Sequence, residues 1–451
     1  MDDDPEKARQ LGVGAGLATL SLVASYGALG VASVAVSRIV GPDATGLLAL
    51  SNQVVLITVF VAGIGLRTSL AALIGAGEWS VRTAVRVAVP GALLLGVAGG
   101  VLGILCYELL KNSAFDGYSL PMAVSLMGSL PAALLWWIVP AVALGRERYE
   151  AYTAQTISAP AGVMLLSPLG AIIAGSDGVV YGLCAGYLIG GSFCAAGALV
   201  AAARSPQPGP AEPTIGRALS IGSRSWVNDL FQVVNLRPDL FILNAYASTA
   251  ATGIYSVALA ITTAAFILPQ SLATVLLPRS AAERMAAEEE DRLIDERTAA
   301  SAVRHAVLVS VGAAAALGVL LLAVPTIWGG DFERTTDYGL IMLPGVALLG
   351  IGRVMVAAFT GRGHPHYALA VGMLSFPATL IAYLLVIPDH GTTGAAIVSS
   401  ASYVAAALLA AALFFTTVRA SLRQVLVPTR ADIADYARFA SRLRSRILAR
   451  S

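Results

Sequence analysis

The chain has 451 residues, of which 57% are hydrophobic and 12% charged; its net charge is +2 and its mean hydropathy +0.76. Soluble domains carry about a quarter charged residues, so a water-soluble globular protein of this length is excluded. The few charges that fall inside apolar runs therefore carry most of the information about function.

The start, MDDDPEKARQ, is acidic, and the apolar run behind it (11–36) is too long for the core of a cleavable signal peptide. It is predicted to stay as a helix, with Thr19, Tyr26 and Ser33 at heptad spacing, which suits either a cavity wall or a helix–helix contact. Eleven further runs of about 20–25 residues follow, each able to cross about 30 Å of hydrocarbon. They cover 45–68, 84–106, 120–144, 151–174, 179–203, 222–246, 252–277, 302–326, 338–360, 367–387 and 393–418. On span two, Asn52, Gln53, Gly63 and Arg67 fall within about 100° of one helical face. Arg67 sits near the cytoplasmic end of that span, where its guanidinium reaches either a cavity or the inner headgroups.

The proline-rich loop RSPQPGPAEPTIGR (204–217) divides the spans six and six and suits a tether. The predicted organisation is an N-terminal lobe over 1–203, a linker over 204–221, a C-terminal lobe over 222–418 and a basic tail over 419–451. The halves echo one another. Asp43-Ala44-Thr45-Gly46-Leu47-Leu48 opens span two and Ala250-Ala251-Thr252-Gly253-Ile254-Tyr255 opens span eight; Gly145-Arg146 after span four recurs as Gly361-Arg362 after span ten. Equivalent places on the same side imply a parallel repeat about an axis along the membrane normal.

Span seven carries a stripe of Asn228, Gln232, Asn235 and Asp239, with Asp229 at its edge, too polar to face lipid. Arg237 and Asn244 point the other way on a straight helix, but Pro238 is expected to kink or unwind it. Arg237 and Asp239 then form either a local structural ion pair or an anion site in which Asp239 positions the ligand or takes a proton. Span eight gathers Tyr255, Ser256, Thr262, Thr263, Phe266 and Gln270 on one arc; hydroxyls, an amide and rings suit sugars as well as packing. Residues 281–298 read as a solvated helical connector of mixed charge. Arg353 lies inside span ten with no acidic neighbour in its own span, which favours a cavity. After Arg430, Ile433, Tyr436, Ala440, Leu443 and Ile447 form an apolar stripe beside Arg438, Arg442 and Arg446, a basic amphipathic helix suited to the anionic inner leaflet.

Each of the three intramembrane arginines costs about 2.5–3.5 kcal/mol near the bilayer centre. They are therefore expected to face a wet, cationic cavity, which points to an anionic cargo. Of the 29 Lys and Arg residues, only Arg38, Lys111 and Arg334 fall on the outer side if the spans alternate from a cytoplasmic N-terminus. The remainder outside the spans lie on the inner side, so both termini are predicted to be cytoplasmic in a multi-pass cell (inner) membrane protein. No phosphate-cradling loop occurs, the four histidines are scattered, and Cys106, Cys184 and Cys194 lack metal-ligand spacing. No cofactor, metal, nucleic acid or enzymatic activity is predicted.

Twelve spans in two six-helix lobes, SRIVGPDATGLLAL after span one, LRPDLFILNAYASTAATGIYSVAL across spans seven and eight, and LLPRSAAE at the end of span eight resemble the polysaccharide (O-antigen type) flippases. These belong to the multidrug/oligosaccharidyl-lipid/polysaccharide exporter superfamily. The resemblance implies an all-α polytopic fold with twelve transmembrane helices in two parallel-repeat lobes around a central cavity. It also implies alternating access that moves a polyprenyl-diphosphate-linked oligosaccharide from the inner to the outer leaflet. Arg237 and Asp239 match the charged pair of that family's span seven. The diphosphate is then expected on Arg237, Arg353 and Arg67, with Asp239, Asn235, Gln232, Asn228, Tyr255, Thr262, Gln270, Asn52 and Tyr26 around the cargo. Membrane lipids, a glycan polymerase and glycosyltransferases are the implied partners. Cation-coupled drug exporters, with acids in span one, and peptidoglycan-precursor flippases, with two further spans, rank lower. A cation-coupled drug or metabolite exporter and a non-transporting scaffold for glycan assembly are the alternatives.

Overall fold

A computed structural model describes residues 5–205, 215–223, 226, 237–267, 269–270, 289–418 and 421–427. The regular elements among these are helical. Nine described helices are long and apolar enough to cross a membrane, and the protein is an all-α, multi-pass membrane protein. Two of these helical segments are double. Tyr149–Ala203 breaks at Ala174 and Gly175, and Pro365–Thr417 breaks at Gly391. Each therefore holds two of the predicted spans, joined by a residue at positive φ (59° at Gly175, 53° at Gly391) that glycine adopts without a Cβ penalty.

The chain divides into two compact units, Met1–Val257 with Pro325–Glu333, and Ala258–Val324 with Arg334–Ser451. Residues within and after the predicted linker at 204–221 are bonded into the first unit: Arg217 pairs with Glu78 at 2.6 and 2.7 Å, Trp226 Nε1 donates to the Phe60 carbonyl at 2.8 Å, and Asn244 Nδ2 donates to the Ala114 and Asp116 carbonyls.

In the first unit the two halves of Tyr149–Ala203 fold back on one another through glycines. A Cβ at Gly162 would meet the Gly186 backbone, and one at Gly178 would meet the Gly170 carbonyl. Small residues let helix backbones approach in this way where lipid supplies no hydrophobic drive. The two repeat motifs also meet. A Cβ at Gly46 would collide with the Thr249 carbonyl, and one at Gly253 with the Pro42 carbonyl. The preceding threonines match as well: buried Thr45 donates to the Gly41 carbonyl at 3.0 Å and buried Thr252 to the Ser248 carbonyl at 2.9 Å. The short segment 325–333 belongs to this unit because Ser37 donates to the Trp328 carbonyl (3.0 Å), Trp328 Nε1 to Ser33 Oγ (3.1 Å), and Arg38 to the carbonyls of Thr326 and Ile327.

In the second unit, Arg334–Gly361 packs on Pro365–Thr417. A buried cluster including Val303, Val354, Phe359, Phe414 and Val425 closes one end. Inside Pro365–Thr417, Tyr383 and Ser399 share a hydrogen bond of 2.7 Å across the fold-back.

Two predicted elements are corrected, span two and the arc of span eight. Span two is not one helix over 45–68: it runs Pro42–Ala62, breaks at Gly63–Gly65, and resumes as Leu66–Gly75. The break has a cause, since Gly65 takes φ 65° with the Gly222 backbone against it, where no side chain fits. Pro238 is the first residue of the helix Pro238–Tyr246, with Arg237 non-helical at φ −138° before it. Thr249–Thr263 tightens into a 3-10 turn over Ala264–Phe266, so the predicted arc of span eight is not a single α-helical face. The connector at 281–298 is described only from Glu289, where it continues into the helix Glu289–Leu322. The tail after Arg430 lies outside the described residues.

Candidate functional site

Two arginine-centred sites form, one inside each unit. In the first, the break at Gly63–Gly65 turns the chain so that Arg67, half-buried, sits one residue into a new helix. Its guanidinium carbon lies 4.1 Å from the centroid of the Trp137 ring, and Nη2 donates to the Tyr152 hydroxyl at 2.7 Å. Trp137 packs on Phe60 at 4.6 Å and on Trp136 at 6.0 Å, and Trp136 meets Tyr187 edge-on at 5.5 Å. The Tyr187 hydroxyl donates to Asn52 Oδ1 at 2.9 Å. A chain of rings thus connects Arg67 to Asn52, rather than the single helical face predicted for them. Gln53, on the same helix, is buried and its Nε2 has no partner.

A ring face and a neutral hydroxyl hold a guanidinium in place without cancelling its charge. The described ion pairs, Lys111–Glu108 and Arg217–Glu78, do not include Arg67. Trp136, Trp137, Tyr152 and Tyr187 are absent from the sequence-based site. The signal available was the Trp136-Trp137 pair between Pro131 and Pro140, a position where two indoles on adjacent helical faces cannot both face one core.

In the second unit, Arg353 lies in Arg334–Gly361, half-buried, with its guanidinium carbon 4.8 Å from the Phe266 ring centroid. Its Nη1 donates to Gln270 Oε1 at 3.0 Å. Phe266 is fixed from behind by Tyr403, edge-on at 6.4 Å. The construction shares features with that of Arg67: an arginine on one helix, an aromatic ring on another, and a hydrogen bond to a neutral oxygen.

Span seven and eight residues divide differently. Asp239 is fully buried in the first turn of its helix, and its Oδ2 accepts from the Tyr255 hydroxyl at 2.6 Å. Its Oδ1 accepts from the Leu240 backbone N–H at 3.1 Å. Of the two arrangements expected for Arg237 and Asp239, the ion pair is not formed among the described residues, and the carboxyl of Asp239 is held by the Tyr255 phenol. A carboxylate at a helix N-terminus is also favoured by the peptide dipoles. Tyr255 is itself fully buried and committed to Asp239, and Thr262 is fully buried and donates to the Ala258 carbonyl at 2.8 Å. Neither offers a free hydroxyl to a ligand in this conformation, because each satisfies a buried partner. Gln270 is exposed, Arg237 half-buried, and Tyr26 56% exposed. Asn228, Gln232 and Asn235 lie outside the described residues.

No protein-family model matches this chain, and no curated protein matches it by sequence. Solved structures do match. The inward-facing conformation of a multidrug resistance MATE family transporter of the MOP superfamily aligns with a TM-score of 0.67 at 15% identity, over 87% of this chain and 94% of that one. Lipid II flippase MurJ, in an inward closed conformation, aligns with a TM-score of 0.68 at 14% identity, over 88% and 87%. An outward-facing MATE transporter of the same superfamily aligns with a TM-score of 0.61 at 16% identity, over 89% and 94%. The chain has the fold shared by the MATE transporters of the MOP superfamily and lipid II flippase MurJ.

Proposed function

We propose that the protein is a flippase that moves a polyprenyl-diphosphate-linked oligosaccharide from the inner to the outer leaflet of the cell membrane by alternating access. The observation that supports this most is the matched pair of arginine sites. Arg67 on Trp137 and Arg353 on Phe266 each hold a guanidinium within a membrane-crossing fold against a ring and a neutral oxygen. A guanidinium forms planar, bidentate, charge-assisted bonds with phosphate oxygens. The adjoining rings and amides suit sugar C–H faces and hydroxyls. That one structural neighbour is a lipid II flippase agrees with a lipid-linked cargo. Arg237, beside the described end of span seven, is the third cationic candidate.

The test is reconstitution of purified protein into liposomes with a fluorescent polyprenyl-diphosphate oligosaccharide, following loss of inner-leaflet label. Wild-type protein should translocate it, and Arg353→Ala should not, at equal protein content. Equal rates for both proteins would remove the site assignment.

A second reading rests on Asp239, a buried carboxylic acid within a fold shared with multidrug resistance transporters. A cation-coupled exporter needs an acid that exchanges a cation during the cycle. Asp239→Asn should then abolish efflux of a cationic dye; dye retention unaffected by the protein in either form argues for the lipid-linked anion instead.

A further inference from the structure

A second basic feature lies apart from both arginine sites. At one end of the first unit a groove of about 340 Å³ is lined by Arg146, Arg148, Arg204 and Gln155, over a floor of small apolar residues that includes Ala151, Ala198 and Ala201. Its residues come from the short helix Pro140–Gly145, the start of Tyr149–Ala203 and the end of that same segment after its fold-back. The small side chains at Gly197, Ala198 and Ala201 leave the space. The three arginines are exposed at its rim.

We propose that this groove is a binding site for the phosphate headgroup of an anionic phospholipid in the leaflet at the arginine-rich face. Four observations converge on it. Three guanidinium groups ring one opening, and nearby Glu147 and Glu150 are not among the lining residues. Gln155 is only 8% exposed, lines the groove, and its Oε1 has no partner. Its amide can accept from a headgroup hydroxyl or, turned over, donate to a phosphate oxygen. The helix beginning at Tyr149 has no side-chain cap at its N-terminus, so first-turn N–H groups beside Arg148 and Ala151 are open to an anion. Lastly, Leu199 and Val200 are 54% and 49% exposed next to the groove on a membrane-crossing helix, a surface on which acyl chains can lie.

The apolar floor selects a lipid over a free anion. Inorganic phosphate is hydrated all round and gains nothing from alanine and valine walls, whereas a phosphodiester carries apolar chains beyond its charge. Basic pockets between transmembrane helices on the cytoplasmic side hold headgroups by this combination. Arg82, on the other flank of the same helix end, is engaged differently: its Nε donates to the Ala202 carbonyl at 3.0 Å. The site stands apart from the cargo reading and survives if the cargo is not a glycan lipid.

Native mass spectrometry of the purified full chain, titrated with phosphatidylglycerol or phosphatidylcholine, tests it. Wild-type protein should retain phosphatidylglycerol in preference to phosphatidylcholine. The combined variant Arg146→Gln, Arg148→Gln, Arg204→Gln should weaken phosphatidylglycerol by about tenfold or more while leaving phosphatidylcholine unchanged. Ala201→Phe, which fills the groove without altering charge, should do the same. Undiminished phosphatidylglycerol retention in either variant overturns the site. Displacement of the lipid by inorganic phosphate also overturns it, since the ligand is then a free anion.

Discussion

Arginine, unlike lysine, carries a flat delocalised charge that can lie on an indole while its edge still donates. Arg67 uses this geometry, with its carbon 4.1 Å from the Trp137 centroid and one nitrogen on Tyr152. Arg67→Lys keeps the charge over the ring but loses the fork, so liposome translocation should fall less than for Arg67→Ala. Loss of a charge-assisted bond of about 1.5–3 kcal/mol predicts a decrease of about ten- to a hundredfold for the alanine variant. Asp239 tests a different property. Tyr255→Phe leaves its buried carboxyl without the phenol, which should lower stability by about 1–3 kcal/mol, read as a reduced melting temperature in detergent. Outside the membrane, the Arg217 guanidinium holds the Glu78 carboxyl below its usual range. A lowered carboxylate pKa gives stabilisation that is present above the ordinary value and lost as pH falls through the lowered one. The difference in melting temperature between wild type and Glu78→Gln should therefore shrink to zero in acid and be constant near neutrality. The arginines were legible in the sequence because a charge inside an apolar run has few reasons to be there. Their ring partners were not, because an aromatic residue in a membrane helix fits core, lipid and cavity equally well.

Helix existence was legible for a related reason: about 20 apolar residues have few other fates than crossing a bilayer. The breaks were not. Gly63, Ile64 and Gly65 read as ordinary members of an apolar run, and only the approach of the Gly222 backbone explains why the chain must turn left-handed there. Gly65→Ala adds both an unfavourable φ and a collision, so it should lose folded protein at the membrane, measured as a fall in monodisperse yield. Gly77→Ala, also at positive φ but with open space around it, should retain more. Pro238 was recognised as a disruption, but its effect depends on what precedes it. As the first residue of a helix it lacks only an N–H that would have been unsatisfied anyway, so it begins Pro238–Tyr246 without losing a helical hydrogen bond.

The orientation expected from the distribution of arginine is testable without knowing the cargo. With endogenous cysteines removed, a single cysteine at Lys111 or Arg334 should react with an impermeant maleimide applied to intact cells, and one at Arg146 or Arg362 should not. The proline-rich loop at 204–217 reads as a tether because composition marks one. Composition could not show that Arg217, Trp226 and Asn244, in and after this loop, bond to Glu78, Phe60 and Asp116, since such pairings have no local signature. The close approach of Gly46 and Gly253 has one further result. The two glycines lie back to back, so a single narrow gap serves both. A methyl group from either direction wedges the same seam open, and the second insertion finds it already parted. The damage from Gly46→Ala and Gly253→Ala together should thus fall short of their sum, making one joint of what the gene spells twice.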